Sequence, residues 1–94
     1  MALLDPSDVT AFLDDHPDWQ HADDTLTRTF EFEDFVEAMG FVVSVGLKAE
    51  RANHHPDIDI RWNRVTLQLS THSEGGLTAK DTDLASSIDA LAAA

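Results

Sequence analysis

Cysteine is absent from this 94-residue chain. That excludes disulfides, thiolate metal sites and a cysteine nucleophile, and it leaves the redox compartment unmarked. Positive charge is scarce, with six Lys and Arg against 18 Asp and Glu and a net charge of −12. Direct binding to nucleic acid phosphates is therefore not expected. No apolar run approaches the roughly 18 to 20 residues that span a bilayer, and Met1 to Pro6 lacks the basic start and apolar stretch of a signal peptide. These absences lead us to expect a soluble, cytoplasmic protein that does not bind membranes. The length predicts a single domain over residues 1–94, with one core and modest stability unless a partner adds to it.

The acidic residues are mainly aspartates spread along the chain, and Lys48 and Lys80 are the only lysines. Such a surface suits a salt-rich cytoplasm, where the Debye length falls to about 3 Å near 1 M salt and self-repulsion is screened.

Asp5-Pro6 followed by Val9, Phe12 and Leu13 reads as a helix N-terminus with an apolar face, running to about Asp15 and stopped by Pro17. Trp19 to Ala22 and Thr25 to Phe32 read as a hairpin around an Asp23-Asp24 turn, with Leu26, Phe30 and Phe32 in one phase. Asp34-Phe35-Val36-Glu37 has the form of a capping box and opens the longest helix, to about Ala52. Phe35, Met39, Val42, Gly46 and Ala49 define one stripe of it, yet Val36, Val43, Val45 and Leu47 spread apolar surface around the cylinder. A face that wide predicts burial on a second side, against another subunit or a neighbouring element. Ile58, Ile60 and Trp62 alternate with charged residues as a strand. Asn63-Arg64 reads as a tight turn, and Val65, Leu67 and Leu69 form the apolar face of the next strand, whose polar phase takes in His72. Ser73 to Gly76 reads as a loop, and Thr78-Ala79-Lys80-Asp81 as the start of a last helix with Leu84, Ile88 and Leu91 as its stripe. The predicted order is α-β-β-α-β-β-α, an α+β fold with three helices on one face of a four-stranded antiparallel sheet.

Three of the five histidines lie between Glu50 and Asp81. If the long helix persists to Asn53, Glu50 and His54 share a face four residues apart, so that the carboxylate can fix the imidazole's tautomer. Pro56 turns the chain at His55, and His72 arrives from a strand end. Two or three imidazoles beside a carboxylate suit general acid-base work near neutral pH. The residues alone leave other readings open. A zinc site needs ligands better spaced than adjacent His54 and His55. His55 and His72 as groups that merely satisfy a helix end and a loop, Trp62 as a core residue, Asp81 as a helix-start carboxylate, and His16 and His21 as solvated side chains are the plainer alternatives.

The set Glu50, His54-His55-Pro56, Trp62, His72 and Asp81 resembles, without departure, the signature of the pterin-4a-carbinolamine dehydratase family. Trp19, Phe30-Glu31-Phe32, Asp34-Phe35, Thr71, Gly76-Leu77-Thr78 and Ile88-Asp89 extend the resemblance over most of the chain. It implies dehydration of a 4a-hydroxytetrahydropterin to a quinonoid dihydropterin and water, recycling the pterin of aromatic amino acid hydroxylases without a redox centre, metal or covalent adduct. It also implies His54 and His72 as the acid-base pair, His55 and Glu50 as orienting groups, and Pro56, Thr71, Ser73 and Glu74 as substrate contacts, mainly through backbone. A homodimer or homotetramer is implied as well. Two alternatives accompany it: a non-catalytic interaction protein on the same fold, since some members look like dimerisation partners of a transcription factor, and a pterin-site homologue acting in another pathway.

The acidic surface carries its own prediction. The thermal midpoint rises between low salt and molar KCl; a midpoint that stays level or falls would remove the salt-adapted reading.

Overall fold

Each helix begins where a short polar side chain meets its first free N–H groups. In the computed structural model, which describes residues 2–94, Asp5 precedes α1 (Pro6–Asp15), Asp34 precedes α2 (Phe35–Ala52) and Thr78 precedes α3 (Ala79–Ala93). Met1, part of the stretch read above for a leader peptide, lies outside the described residues. Asp34 Oδ1 accepts from the Glu37 N–H at 2.9 Å, and the Glu37 carboxylate reaches back to the Glu33 N–H at 2.9 Å. The capping box foreseen for α2 is thus shifted by one residue on its return arm.

The strands are β1 (Gln20–Ala22), β2 (Thr25–Glu31), β3 (Asp57–Arg61) and β4 (Arg64–Leu69). With the helices they give the predicted α-β-β-α-β-β-α order, and the sheet runs β1-β2-β4-β3, antiparallel throughout. Asp23 and Asp24 both take positive φ between β1 and β2, the backbone of a hairpin whose twist matches its strands. In the central pair, Leu26 lies opposite Leu69 and Phe30 opposite Val65. With Leu67 these form the sheet's buried face, against Ala38, Phe41, Val45 and Ala49 of α2 and Leu84, Ala85 and Ile88 of α3. The other phase is polar, and Thr29 and Thr66 hydrogen-bond across it at 2.9 Å.

Arg28 shares the phase of Leu26 and Phe30 and so points its charge toward the helices. Asp89 of α3 answers it at 2.7 Å, and the same carboxylate accepts from Trp19 Nε1 at 2.8 Å and bonds His16 Nδ1 at 2.6 Å. Arg28 also lies 4.2 Å over the Phe30 ring. This cluster ties the α1–β1 link, β2 and α3 together. It corrects the expectation of a solvated His16, which is half-buried and stacked on Phe12 with ring centroids 4.5 Å apart. His21 is exposed, as expected.

Three further expectations change. The β3–β4 turn is Trp62-Asn63, not Asn63-Arg64: Arg61 pairs with Arg64, and Trp62 takes φ 53°. Asn63 is needed for anchoring instead, its side-chain amide donating to Phe32 O at 2.8 Å while its own carbonyl accepts from Phe32 N at 2.9 Å. Trp62 is 68% exposed and not a core residue. On α2 the buried stripe is Ala38, Phe41, Val45 and Ala49, rotated from the predicted one. Phe35 and Met39 face outward together with Val36, Val43 and Leu47. A helix that carries apolar residues well around its cylinder does not fix its own phase, and the packing against the sheet and α3 decides it.

Candidate active site

α2 ends in a Schellman motif. Asn53 adopts the left-handed conformation (φ 51°, ψ 43°), its N–H bonds Glu50 O at 3.1 Å, and the His54 N–H bonds Ala49 O at 3.1 Å. Asparagine tolerates this backbone better than most residues, and Pro56 prevents the helix from resuming. The consequence is a change of register between the two histidines. His54 leaves the helix face and swings to α3, where its Nε2 lies 2.6 Å from Asp81 Oδ1, while His55 Nε2 lies 2.5 Å from Glu50 Oε1. The pairing expected from helix spacing, Glu50 with His54, is therefore replaced. The reason is Asn53, which breaks the i, i+4 relation just before His54.

The two pairs differ in surroundings. Asp81 is fully buried and the His54 side chain is only 11% exposed, whereas Glu50 and His55 are mostly in solvent. A buried carboxylate must find donors for its lone pairs. Asp81 Oδ2 accepts from the Thr71 hydroxyl at 2.7 Å and from the Thr78 N–H at 2.9 Å, leaving Oδ1 for His54. Because the other two partners are donors, the hydrogen is assigned to His54 Nε2, with Nδ1 as the neutral ring's remaining acceptor. Thr71 and Thr78 close the cluster, their hydroxyls 2.8 Å apart.

His72 does not continue β4, which ends at Leu69; it opens a short 3₁₀ turn, His72–Glu74, and is exposed. An isolated bridge between Thr71 and Gly76 pinches the turn's base, and Gly75 supplies the left-handed residue (φ 77°) that lets it close. Thr71 spends its N–H on Gly76 O and its carbonyl on the Glu74 and Gly76 N–H groups. With its hydroxyl on Asp81, it shapes the turn that carries His72, Ser73 and Glu74, and all three of those are exposed. Asp81 thus binds the residue before His72 on one side and His54 itself on the other. Pro56 is half-buried after His55. Among the described residues no group of three or more His, Asp and Glu is arranged to hold a metal ion.

The partner of His54 was the part least visible in sequence. Asp81 and Thr78 stood out as a helix start and through the family resemblance, but their bonds to residues distant along the chain had no local signal beyond the Thr-x-x-Asp spacing.

Fold and site define a small α+β protein in which carboxylate-held histidines gather where two helices and a strand meet. The chain belongs to the pterin-4a-carbinolamine dehydratase family: the family model described as Pterin 4 alpha carbinolamine dehydratase matches residues 2–91. A protein of Acidobacterium capsulatum that carries the provisional name pterin-4-alpha-carbinolamine dehydratase is 54% identical over 91 residues, covering 97% of this chain and 99% of its own. One of the same provisional name from Nocardia farcinica is 52% identical over 90 residues, covering 96% of this chain and 95% of its own. Among solved structures, a protein of Brucella melitensis described as a transcriptional coactivator/pterin dehydratase superposes with a TM-score of 0.91. It is 38% identical and the match covers 97% of this chain and 99% of that one. A pterin dehydratase-like protein described as a RuBisCO assembly factor in the alpha-carboxysome shares the fold, with a TM-score of 0.66 at 23% identity over 79% of this chain and 86% of that one.

Thr71→Val removes one of three donors to a buried carboxylate and is expected to cost about 1 to 3 kcal/mol in urea unfolding. Thr71→Ser, which keeps the hydroxyl, recovers most of that loss. Equal stability of the valine variant and the wild type would show that Asp81 does not depend on this bond.

Proposed function

We propose that this chain is a hydro-lyase that dehydrates a 4a-hydroxytetrahydropterin to the quinonoid dihydropterin and water, with its histidines as general acid and base. The observation that carries this reading is the Asp81 hub, which holds His54 directly and, through Thr71, the turn that presents His72. Family membership supplies the substrate class; the geometry supplies imidazoles in distinct settings beside it.

The chemistry asks for two proton transfers. The C4a–O bond breaks with its electron pair leaving on oxygen, which must receive a proton to depart as water. N5 gives up its proton, and the N5 electron pair forms the C4a=N5 bond of the product. An imidazole serves either step near neutral pH. His54, oriented by Asp81, and His72, presented on the pinched turn, form the acid-base pair in this reading. His55, oriented by Glu50, positions the pterin and its hydroxyl, and Pro56, Ser73 and Glu74 frame the ring. Thr71 acts through the turn it builds, since its own polar groups are engaged. Supply of the substrate by an aromatic amino acid hydroxylase, and a cytoplasmic setting, belong to the same proposal.

The exposed stripe Val36, Met39, Val43 and Leu47 on α2 favours self-association as a homodimer or homotetramer. It is also the feature that speaks for a second reading, a non-catalytic interaction protein. The Brucella relative's description as a coactivator and the carboxysome protein's as an assembly factor are consistent with that use of the fold.

Stopped-flow absorbance of freshly generated 4a-hydroxytetrahydropterin separates the readings. Wild type accelerates its decay over buffer, and His54→Ala and His72→Ala each slow turnover by about 10²- to 10⁴-fold with the fold retained. Light scattering of the same wild-type sample is expected to report a dimer or tetramer. Wild type no faster than buffer, while folded, would hand the site to the interaction reading, and full activity in both variants would remove the histidine assignment.

A further inference from the structure

Three of the six basic residues have carboxylate partners: Arg28 with Asp89 and Asp18, Arg61 with Asp59, and Arg64 with Glu31. In a chain with 18 acidic residues that is the ordinary outcome. The other three, Lys48, Arg51 and Lys80, have no ion-pair partner among the described residues, and all three line one cavity of about 290 Å³ between α2 and α3. Lys48 and Arg51 stand three residues apart on one face of α2. Lys80, Leu84 and Ser87 fall on the facing stripe of α3, and Ala52 and His54 close the end. The one carboxylate on the lining, Asp83, pairs with none of the three cations within 4 Å.

Lys80 is the most telling. It sits in the first turn of α3, which Thr78 caps and where the helix dipole disfavours a cation. A lysine there, paired with no carboxylate among the described residues and sharing the groove with two further cations, is suited to receive an anion. Arg51 adds a planar fork that matches phosphate oxygens, Ser87 a hydroxyl, and Leu84 and Ala52 an apolar wall.

We infer that the α2–α3 groove is an anion site for a small phosphate-bearing molecule, held by Lys48, Arg51 and Lys80. The groove adjoins the proposed pterin site at one end only: His54 lines it while its Nε2 is held by Asp81, and Glu50, His55 and His72 do not line it. A nucleic acid backbone is disfavoured by the net charge of −12.

The test uses inorganic pyrophosphate as the probe, titrated at low ionic strength into the full chain and followed by backbone amide NMR. The expected result is saturable shifts confined to the neighbourhood of residues 48, 51, 80 and 87. Lys80→Gln and Arg51→Gln each weaken binding at least about tenfold, as loss of one charge-assisted hydrogen bond should. Arg61→Gln makes the same change in net charge on β3, away from the groove, and is expected to alter affinity by less than about twofold. The inference is overturned if no saturable shifts occur, if they spread over Arg61 and Arg64 alike, or if Arg61→Gln weakens binding as much as Lys80→Gln. Because the readout is binding and not turnover, its failure leaves the dehydratase reading untouched.

Discussion

A carboxylate buried without contact to water constrains everything around it, and in this protein that group is Asp81. Its charge is tolerable only while its oxygens receive donors, and the donors come from three separate stretches of chain: Thr71 after β4, Thr78 at the cap of α3, and His54 after α2. One residue therefore fixes where the last helix begins, where the turn carrying His72 is anchored, and where the first imidazole of the His-His-Pro corner points. Stability and chemistry share this hub, so side chains that look structural, Thr71 and Thr78, set the geometry of the candidate catalytic ones.

A second constraint lies in the backbone. Asn53 in the left-handed conformation ends α2 and changes the direction of the chain within one residue. Had the helix run on, His54 would have stayed over Glu50 in solvent. Instead the two adjacent histidines are sent to two different carboxylates, one buried and one exposed, which is how a repeated residue type acquires two environments.

Much of the fold could be read from local signals. The helices were marked by Asp34, Thr78 and the Asp5-Pro6 start, and the strands by alternation from Thr25 to Phe32 and from Val65 to Leu69, because capping and pleat are set by neighbours in sequence. The misreadings came where distant contacts decide. The face of α2 that is buried, with Ala38, Phe41, Val45 and Ala49, was settled by packing against the sheet and α3. His16 is held by Asp89, 73 residues away. The turn at Trp62-Asn63 follows the pairing of Arg61 with Arg64 more than the preference of Asn for positive φ, and it leaves a tryptophan in that conformation. The members of the His-containing set were legible through their resemblance to a known signature, but Asp81's hold on His54 was not, since the spacing suggested a helix-internal pair.

The central claim is that Asp81 fixes the tautomer and position of His54. Long-range ¹H–¹⁵N correlation of the imidazoles tests it directly. The account predicts that neutral His54 carries its proton on Nε2, as a single hydrogen-bonded resonance that exchanges with water far more slowly than the ring proton of exposed His21. A proton on Nδ1, or exchange as fast as that of His21, would contradict it.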